Sequence, residues 1–175
     1  MSRLREGKIR LMRLIYLPTF WTIVIDFIVW FIIHIGVVAM MVRIPAKHFN
    51  PNHWLYRKRT WEGEGNVYQE VFKIKKWKHH LPDGARILGR LGFPKKQLNA
   101  TSTEYFEAFF IETCRAELTH WILILFAPFF FLWNPTWVGF FMIFYALVEN
   151  IPLVIAQRYN RYRFRRLLEQ KRLKP

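Results

Sequence analysis

The sequence predicts a mainly α-helical membrane protein, with two or three membrane-embedded helical segments and a basic interfacial lobe between the first and the second. Three observations predict this fold class. The chain contains long apolar runs without lysine or arginine, its aromatic residues reach 18%, and its formal net charge is +15. Such runs suit helices in hydrocarbon, aromatic rings favour the membrane–water boundary, and a cationic surface attracts anionic lipid or phosphate.

The first predicted membrane segment is the run from Phe20 to Val42, which follows a basic leader. A cleavable signal peptide is the alternative, but its apolar region would be shorter and followed by small residues, so we expect the segment to be retained. Asp26 and His34 lie within this run, about 80° apart around a helix. Because such groups are costly in lipid, we expect both to face protein or water.

The stretch from residue 43 to residue 103 differs in composition, with four prolines, several glycines and a cationic patch at residues 73–80. We expect it to form the soluble or interfacial lobe. Residues 67–77 alternate imperfectly between polar and apolar, so a strand and a short amphipathic helix both remain open there. Residues 81–84 contain proline and glycine and predict a turn.

From Thr103, a candidate helix cap, the pattern becomes helical. The apolar run at residues 121–133 covers only about 20 Å of helix, so it spans a membrane only if the preceding turns contribute; otherwise it dips in and returns. The dipeptide Asn134-Pro135 predicts a turn, and residues 136–156 form a second apolar run. The two runs together predict a membrane hairpin.

These boundaries divide the chain into four parts: residues 1–42, 43–103, 104–157 and a basic tail at 158–175. Lysine and arginine are frequent in both the tail and the lobe, which predicts that both are cytoplasmic. If all three segments cross, the equally basic leader lies on the opposite side. A re-entrant segment therefore stays an alternative.

The richest cluster of reactive side chains lies in residues 110–121, where the helix meets the membrane. Its polar side chains fall on one continuous arc when the helix is turned at about 100° per residue. On that arc His120 is three residues from Glu117, and Arg115 is three residues from Glu112, so each pair is adjacent. A carboxylate beside an imidazole can fix its tautomer, as a general base acting on a hydroxyl requires.

Two alternatives stay open for this arc. It can belong to an interfacial helix whose two ion pairs keep a polar face solvated. The Glu-x-x-His spacing also occurs in di-iron bundles, but those need a second such pair on another helix, and the chain has only one. No metal is therefore expected.

The cationic patch places Lys75, Lys76 and Lys78 around Trp77. This combination can hold phosphates while the indole rests among lipid headgroups. Simple adhesion to anionic lipid is an equally good interpretation.

The apolar run at residues 136–156 contains Glu149 and Asn150, and intramembrane groups of this kind are functional candidates by default. A polar pairing between helices, with Asp26 or His34, is equally open. The run closes in a polar motif whose members are candidate substrate ligands: Gln157, Arg158, Asn160 and Arg161. The two arginines can grip phosphate through their guanidinium forks or anchor the helix end to headgroups.

The sequence argues against several classes of partner, cofactor and catalytic motif. The cationic stretches are separated by segments too apolar for water and show no recognition module, so nucleic acid is not an expected partner. No Gly-x-Ser-x-Gly elbow, Walker loop or Rossmann glycine fingerprint occurs, and no cofactor is expected. The single cysteine, Cys114, cannot form an internal disulfide.

Four separated segments resemble the glycosyl-4,4'-diaponeurosporenoate acyltransferases, which finish staphyloxanthin-type carotenoid synthesis. Their order and spacing across residues 43–163 argue against a chance match. The segments are Arg43-Ile44-Pro45 with Lys47 and Phe49; Trp77-Lys78-His79 with Asp83-Gly84; IET-RAEL-HW at Ile111 to Trp121; and Phe144-Tyr145-Ala146 with Asn150, Pro152 and QRYNR. The chain departs from the family at Tyr162, where proline is usual, and at Cys114, which replaces a basic residue.

The resemblance implies transfer of a fatty acyl group from an acyl-thioester donor, either acyl-CoA or acyl carrier protein. The acceptor would be a hydroxyl of a glycosylated carotenoid or similar glycolipid. It also implies a bacterial cell membrane enzyme in contact with membrane lipids, with its active face expected in the cytoplasm. His79 and Asp83 belong to the matched segments, although their spacing is one residue short of the His-x4-Asp arrangement of soluble-lobe glycerolipid acyltransferases.

Within that chemistry, the residues themselves suggest that His120 activates the acceptor hydroxyl and that Glu117 orients His120. The Arg115–Glu112 pair would hold the helix or the donor headgroup, and the patch lysines would receive the donor's phosphates. The alternative from another class is a non-enzymatic basic membrane accessory protein that binds anionic lipid or a partner enzyme. Charges in such a protein would be interchangeable, whereas an active site fails on single neutral substitutions.

Overall fold

The computed structural model describes residues 14–81 and 103–173, so the predicted turn at residues 81–84, with Asp83, lies largely outside the described residues. Three long helices carry the fold: α1 (Thr19–Arg43), α4 (Thr103–Phe126) and α5 (Thr136–Leu173). Two short helices, α2 (Val67–Glu70) and α3 (Ile74–Trp77), lie in the lobe. Residues 67–77 therefore form two short helices separated by residues 71–73, rather than a strand.

Short 3₁₀ helices complete the chain path. Three lie in the lobe, at Ala46–His48, Thr60–Gly65 and Lys78–His80, and one at Ala127–Leu132 extends α4. Asn134 and Pro135 then connect it to α5, as the dipeptide predicted.

Within the described residues, three helical segments are long and apolar enough to cross a membrane: Thr19–Arg43, Tyr105–Leu132 and Thr136–Gln170. The predicted fold class is confirmed. The short apolar run at residues 121–133 reaches spanning length because the turns before it are helical. Phe27 and Phe31 of α1 point outward, 75% and 68% exposed, as a lipid-facing helix surface requires.

Helix α1 packs antiparallel to α4. At its start, the backbone N–H of Leu14 donates to the carbonyl of Leu132 over 2.7 Å. At its end, the guanidinium of Arg115 donates to the carbonyls of Met41 and Val42 over 3.2 and 3.1 Å. The start of α1 therefore lies beside the hairpin turn, and its end lies beside the lobe.

Asp26 of α1 faces protein, as its position in an apolar run predicted. One of its carboxylate oxygens accepts hydrogen bonds from the indole of Trp133 and the amide of Asn134, both over 2.7 Å. The side chain is buried. This contact joins the first third of α1 to the hairpin turn.

Helix α5 runs unbroken from the apolar hairpin through Pro152 and on into the basic segment. The proline lacks an N–H, so the helix has one fewer backbone hydrogen bond at that turn. A core of Tyr68, Ile74, Tyr159 and Tyr162 packs the lobe against the later part of α5. The lobe therefore packs on the part of α5 that follows the apolar hairpin. Charged groups from the lobe and from α5 come together at this contact.

Candidate active site

A buried network of two carboxylates and two guanidiniums joins the lobe to α4 and α5. Glu62 comes from the lobe, Glu117 from α4, and Arg158 and Arg161 from adjacent turns of α5. We call these four residues the arginine–carboxylate network. Arg158 Nε lies 2.8 Å from Glu117 Oε1, and Arg158 Nη1 lies 2.9 Å from Glu62 Oε1. Arg161 holds the other oxygen of Glu117.

The network is electrically balanced, with two negative and two positive groups. Both carboxylates are fully buried, at 0% exposure. Buried charges are tolerated only when they are paired and their remaining hydrogen-bonding positions are filled. Arg158 meets that condition, because its third nitrogen, Nη2, donates to the carbonyl of Leu55 over 2.5 Å.

Glu62 is the most heavily bonded member. It accepts from the hydroxyls of Tyr68 and Tyr162, the latter over 2.7 Å, and from the backbone N–H of Arg59 over 2.6 Å. Burial acts to raise the pKa of Glu62, but the hydrogen bonds from Tyr68, Tyr162 and Arg158 outweigh it and hold the pKa below the usual value. Glu62 is therefore a charged anchor rather than a proton donor at neutral pH.

Sequence reasoning missed Glu62. It sits in a short 3₁₀ helix of the lobe, in a glycine-rich stretch without hydrophobic periodicity. Gly65 follows in the left-handed region at φ +88°, and a Cβ placed there would lie 2.8 Å from the Cβ of Tyr162. This close approach of the lobe to α5 brings Glu62 to Arg158. Two acids flanked by glycines, WEGEG, are the only sequence signal.

The expected contact between Glu117 and His120 is replaced by other partners for both residues. Glu117 turns to Arg158 and Arg161, and His120 Nδ1 lies 2.9 Å from Asn150 Oδ1 on α5. The physical reason is charge: a buried carboxylate gains more from two guanidiniums than from a neutral imidazole. The amide of Asn150, a predicted substrate ligand, takes the orienting position expected of Glu117.

The Asn150 contact selects one tautomer of His120. Asn150 Nδ2 donates to the carbonyl of Ala146 over 2.9 Å, which leaves Oδ1 as the acceptor facing the ring. In the neutral ring His120 Nδ1 therefore carries the hydrogen, and Nε2 keeps a lone pair. A ring nitrogen in that state can accept a proton. His120 is partly exposed. Along α4 it lies about 8 Å further from the lobe than Arg115, the residue that contacts the end of α1.

A second imidazole lies near the first. His34 Nδ1 is 2.8 Å from the carbonyl of Trp30, and His34 Nε2 is 3.5 Å from Glu149 Oε1. This is the interhelical pairing of Glu149 with His34 that the sequence left open. His120 lies within electrostatic range of both groups. We call His34, His120, Glu149 and Asn150 the histidine cluster.

The predicted pair of Glu112 and Arg115 forms, with 3.4 Å between its charged atoms. Arg115 also caps α1 through the carbonyls of Met41 and Val42, and its guanidinium lies 4.9 Å from the ring centre of Phe49. The sequence suggested that this pair holds either the helix or the donor headgroup. Its contacts in the structure are those of a pair that holds helices together.

The cationic patch is divided between solvent and α5. Lys75, Lys76 and His79 are exposed. Lys78 donates to Asn160 Oδ1 and lies 5.2 Å from the ring centre of Tyr159, so it joins the lobe to α5.

The remaining predicted substrate ligands differ in their surroundings. The indole of Trp77 donates within the lobe to the carbonyl of Phe72 over 2.7 Å, and Gln157 is half-buried on α5. Asp83 lies outside the described residues. Arg158 and Arg161 have their forks engaged by carboxylates. In the part of the chain that the structure describes, no three His, Cys, Asp or Glu side chains come together to hold a metal ion.

Comparison with known proteins identifies the family. The family described as glycosyl-4,4'-diaponeurosporenoate acyltransferase matches residues 52–170 of this chain. Relatives of that name from Staphylococcus aureus strains bovine RF122 / ET3-1 and MRSA252 are each 37% identical over 139 residues, which cover 79% of this chain and 83% of theirs. One from strain USA300 is 35% identical over the same shares.

No solved structure matches the chain. The family match nevertheless includes the lobe from residue 52 onward, α4 and most of α5, and so the whole arginine–carboxylate network. This chain belongs to the glycosyl-4,4'-diaponeurosporenoate acyltransferase family, as its four sequence segments predicted.

Proposed function

We propose that this protein transfers a fatty acyl group from an acyl-thioester donor to a sugar hydroxyl of a glycosylated carotenoid or similar glycolipid, at the cytoplasmic face of a bacterial cell membrane. Family membership supports the reaction class. The observation that carries the mechanism is the hydrogen bond between His120 and Asn150, because it leaves His120 Nε2 able to accept a proton.

In the proposed reaction His120 Nε2 takes the proton of the acceptor hydroxyl as its oxygen attacks the thioester carbonyl. A C–O bond forms and the C–S bond breaks. His120 then returns the proton to the thiolate that leaves, so no further reactant is needed. General-base assistance of this kind contributes about 10²- to 10⁴-fold to the rate.

The surroundings of the histidine cluster suit an amphiphilic acceptor. A groove of about 480 Å³ between α1 and α5 is lined by aromatic rings, including Phe27, Trp30, Trp137 and Tyr145. Trp30 precedes His34 by four residues and Tyr145 precedes Glu149 by four, so the groove ends one helical turn from the cluster. An apolar tail in this groove would place a sugar hydroxyl near the imidazoles.

Side chains outside the histidine cluster support the proposed site by holding its helices in place. We assign the arginine–carboxylate network to fixing α4 and α5 relative to the lobe, and so to setting the distance between His120 and Asn150. Glu112 and Arg115 hold the end of α1. These are positioning roles, since the network's carboxylates and guanidiniums bind one another and Arg115 binds the carbonyls at the end of α1.

The experiment is acyl transfer by the full chain reconstituted in lipid nanodiscs, given acyl-CoA and a glycosylated carotenoid, with products followed by mass spectrometry. We expect His120→Ala to lower kcat about 10²-fold or more. The control is His48→Ala, an exposed histidine of the lobe. Full transfer by a folded His120→Ala protein would remove His120 from the mechanism.

The same assay separates the enzyme from a basic accessory protein. An accessory protein would show no transfer in any preparation, and exchange of its lysines for arginines would preserve its lipid binding. Transfer that depends on one imidazole contradicts that alternative.

A further inference from the structure

A polar groove of about 550 Å³ lies outside both clusters, between the lobe and the end of α5. Four cationic side chains line it, Lys75 and Lys78 from the lobe and Arg163 and Arg166 from α5, against one acid, Glu64. Glu64 is itself paired with Lys58. Among the described residues, the groove thus has an excess of positive charge.

The contacts within the groove leave cationic donors available. Arg166 Nη2 donates to the carbonyl of Glu64 over 2.5 Å and to Asn66 Oδ1 over 3.1 Å, both neutral acceptors. Lys78 also donates to a neutral acceptor, Asn160 Oδ1. None of the four cations forms an ion pair within the described residues. An anion would find charge-assisted donors on both walls.

A buried amide at the groove wall is also unsatisfied. Gln69 lines the groove, and its side-chain nitrogen is buried without a hydrogen-bond partner among the described residues. Buried polar groups in native proteins are bonded in the large majority of cases, so a buried donor without a partner beside a cationic groove favours binding of an acceptor there. A phosphate oxygen is an acceptor of the required kind.

Like charges approach each other here. Burial lowers the pKa of Lys78, and the neighbouring guanidinium of Arg163 lowers it further. Folding has therefore brought two cations together at some cost, and no carboxylate of the described residues pairs with either of them. A bound dianion would reverse that repulsion and favour the charged form of Lys78.

From this geometry we infer that the groove binds a phosphate group of an amphiphilic ligand, held by Gln69, Lys75, Lys78 and Arg163. This assignment adds Gln69 and Arg163 to the lysines that the sequence indicated, and Lys76 does not line the groove. The choice of an acyl donor as the ligand rests on the proposed function. The same chemistry is offered by a nucleotide phosphate of coenzyme A and by the headgroup of an anionic lipid.

The test measures binding without turnover. Failure of the groove to bind phosphate would therefore not contradict acyl transfer, and failure of acyl transfer would not contradict phosphate binding. Coenzyme A is titrated calorimetrically into the full chain in zwitterionic nanodiscs, and co-purifying phosphatidylglycerol is counted by native mass spectrometry. The variants are Lys75→Gln, Arg163→Gln and Gln69→Leu. Arg57→Gln, an exposed cation of the lobe outside the groove, is the matched control.

We expect Lys75→Gln and Arg163→Gln each to weaken binding about five-fold, the loss of one phosphate contact. Gln69→Leu should weaken it by a similar factor without changing the charge, because it removes a donor. Loss in the coenzyme A arm identifies a nucleotide donor, and loss confined to phosphatidylglycerol identifies a lipid headgroup. Effects no larger than that of Arg57→Gln in both arms would overturn the inference.

Discussion

Arg158 of α5 and Glu117 of α4 are joined by a hydrogen bond of 2.8 Å in the interior of the protein, 41 residues apart in sequence. The same guanidinium reaches Glu62 of the lobe over 2.9 Å. One side chain thus connects three parts of the chain.

Removal of the Glu117 charge should destabilise the protein strongly. In Glu117→Gln, Arg158 and Arg161 keep two buried charges with only Glu62 to balance them. We expect a loss of about 3–5 kcal/mol in unfolding free energy, since breaking one partner of a buried ion network leaves charge uncompensated. Unfolding in mixed micelles measures it. Glu107→Gln, an exposed acid of the same helix, is the control, and equal losses in both would contradict the network's role.

The contribution of Glu62 should depend on pH in a defined direction. Its pKa in the folded protein lies below the usual value of 4.5, so the folded state favours the carboxylate. The stabilisation is therefore complete above pH 4.5 and is lost as the pH falls through the folded pKa. Wild type should exceed Glu62→Gln in stability at about pH 7, and the gap should narrow below pH 4.5. A gap that widens on acidification would reverse the assignment.

Asn150 should act on the rate rather than on substrate affinity. Asn150→Ala removes the acceptor that holds His120 Nδ1–H, so the productive tautomer is no longer selected. We expect kcat to fall about ten-fold or more, with KM little changed. Steady-state acyl transfer measures both constants, with Val148→Ala on the exposed face of α5 as the control. A change in KM alone would make Asn150 an acceptor-binding residue instead.

His34 and Glu149 should be energetically coupled. Each loses its partner when the other is replaced, so the second substitution should cost less than the first. In a double-mutant cycle of His34→Gln and Glu149→Gln we expect a coupling of about 1 kcal/mol. Unfolding free energies of the four proteins supply the cycle. Strict additivity would mean that the 3.5 Å approach carries no net stabilisation.

Gly65 should tolerate no side chain. Gly65→Ala forces a Cβ against Tyr162 and places alanine in the left-handed region, so we expect a loss of about 1–3 kcal/mol. Gly36→Ala in α1 is the matched control, because a Cβ there meets nothing within 4 Å. Thermal unfolding of the two variants gives the comparison. Equal stability would show that the lobe can move away from α5 at little cost.

Contacts between side chains of different helices could be predicted from the sequence only where a polar residue had few polar residues available as partners. Asp26, His34 and Glu149 stand in apolar runs where a polar group must find protein, and the sequence already suggested that His34 and Glu149 could meet. Glu117 stood on a helix with many polar neighbours, and local spacing favoured His120. Its actual partners lie on α5, beyond the reach of a single-helix argument. Glu62 had no periodic signal at all.

The sequence by itself determined the membrane segments, the hairpin turn, the basic lobe and the family, because these follow from local hydrophobicity, turn chemistry and ordered motifs. Tertiary structure alone decided that Glu117 binds Arg158 and Arg161, that Asn150 orients His120, and that four cations line one groove. The physical reason is that buried charges choose partners by distance and desolvation in three dimensions. Glu62 and Arg158 are 96 positions apart, and only the close packing of the lobe on α5 brings them within 2.9 Å.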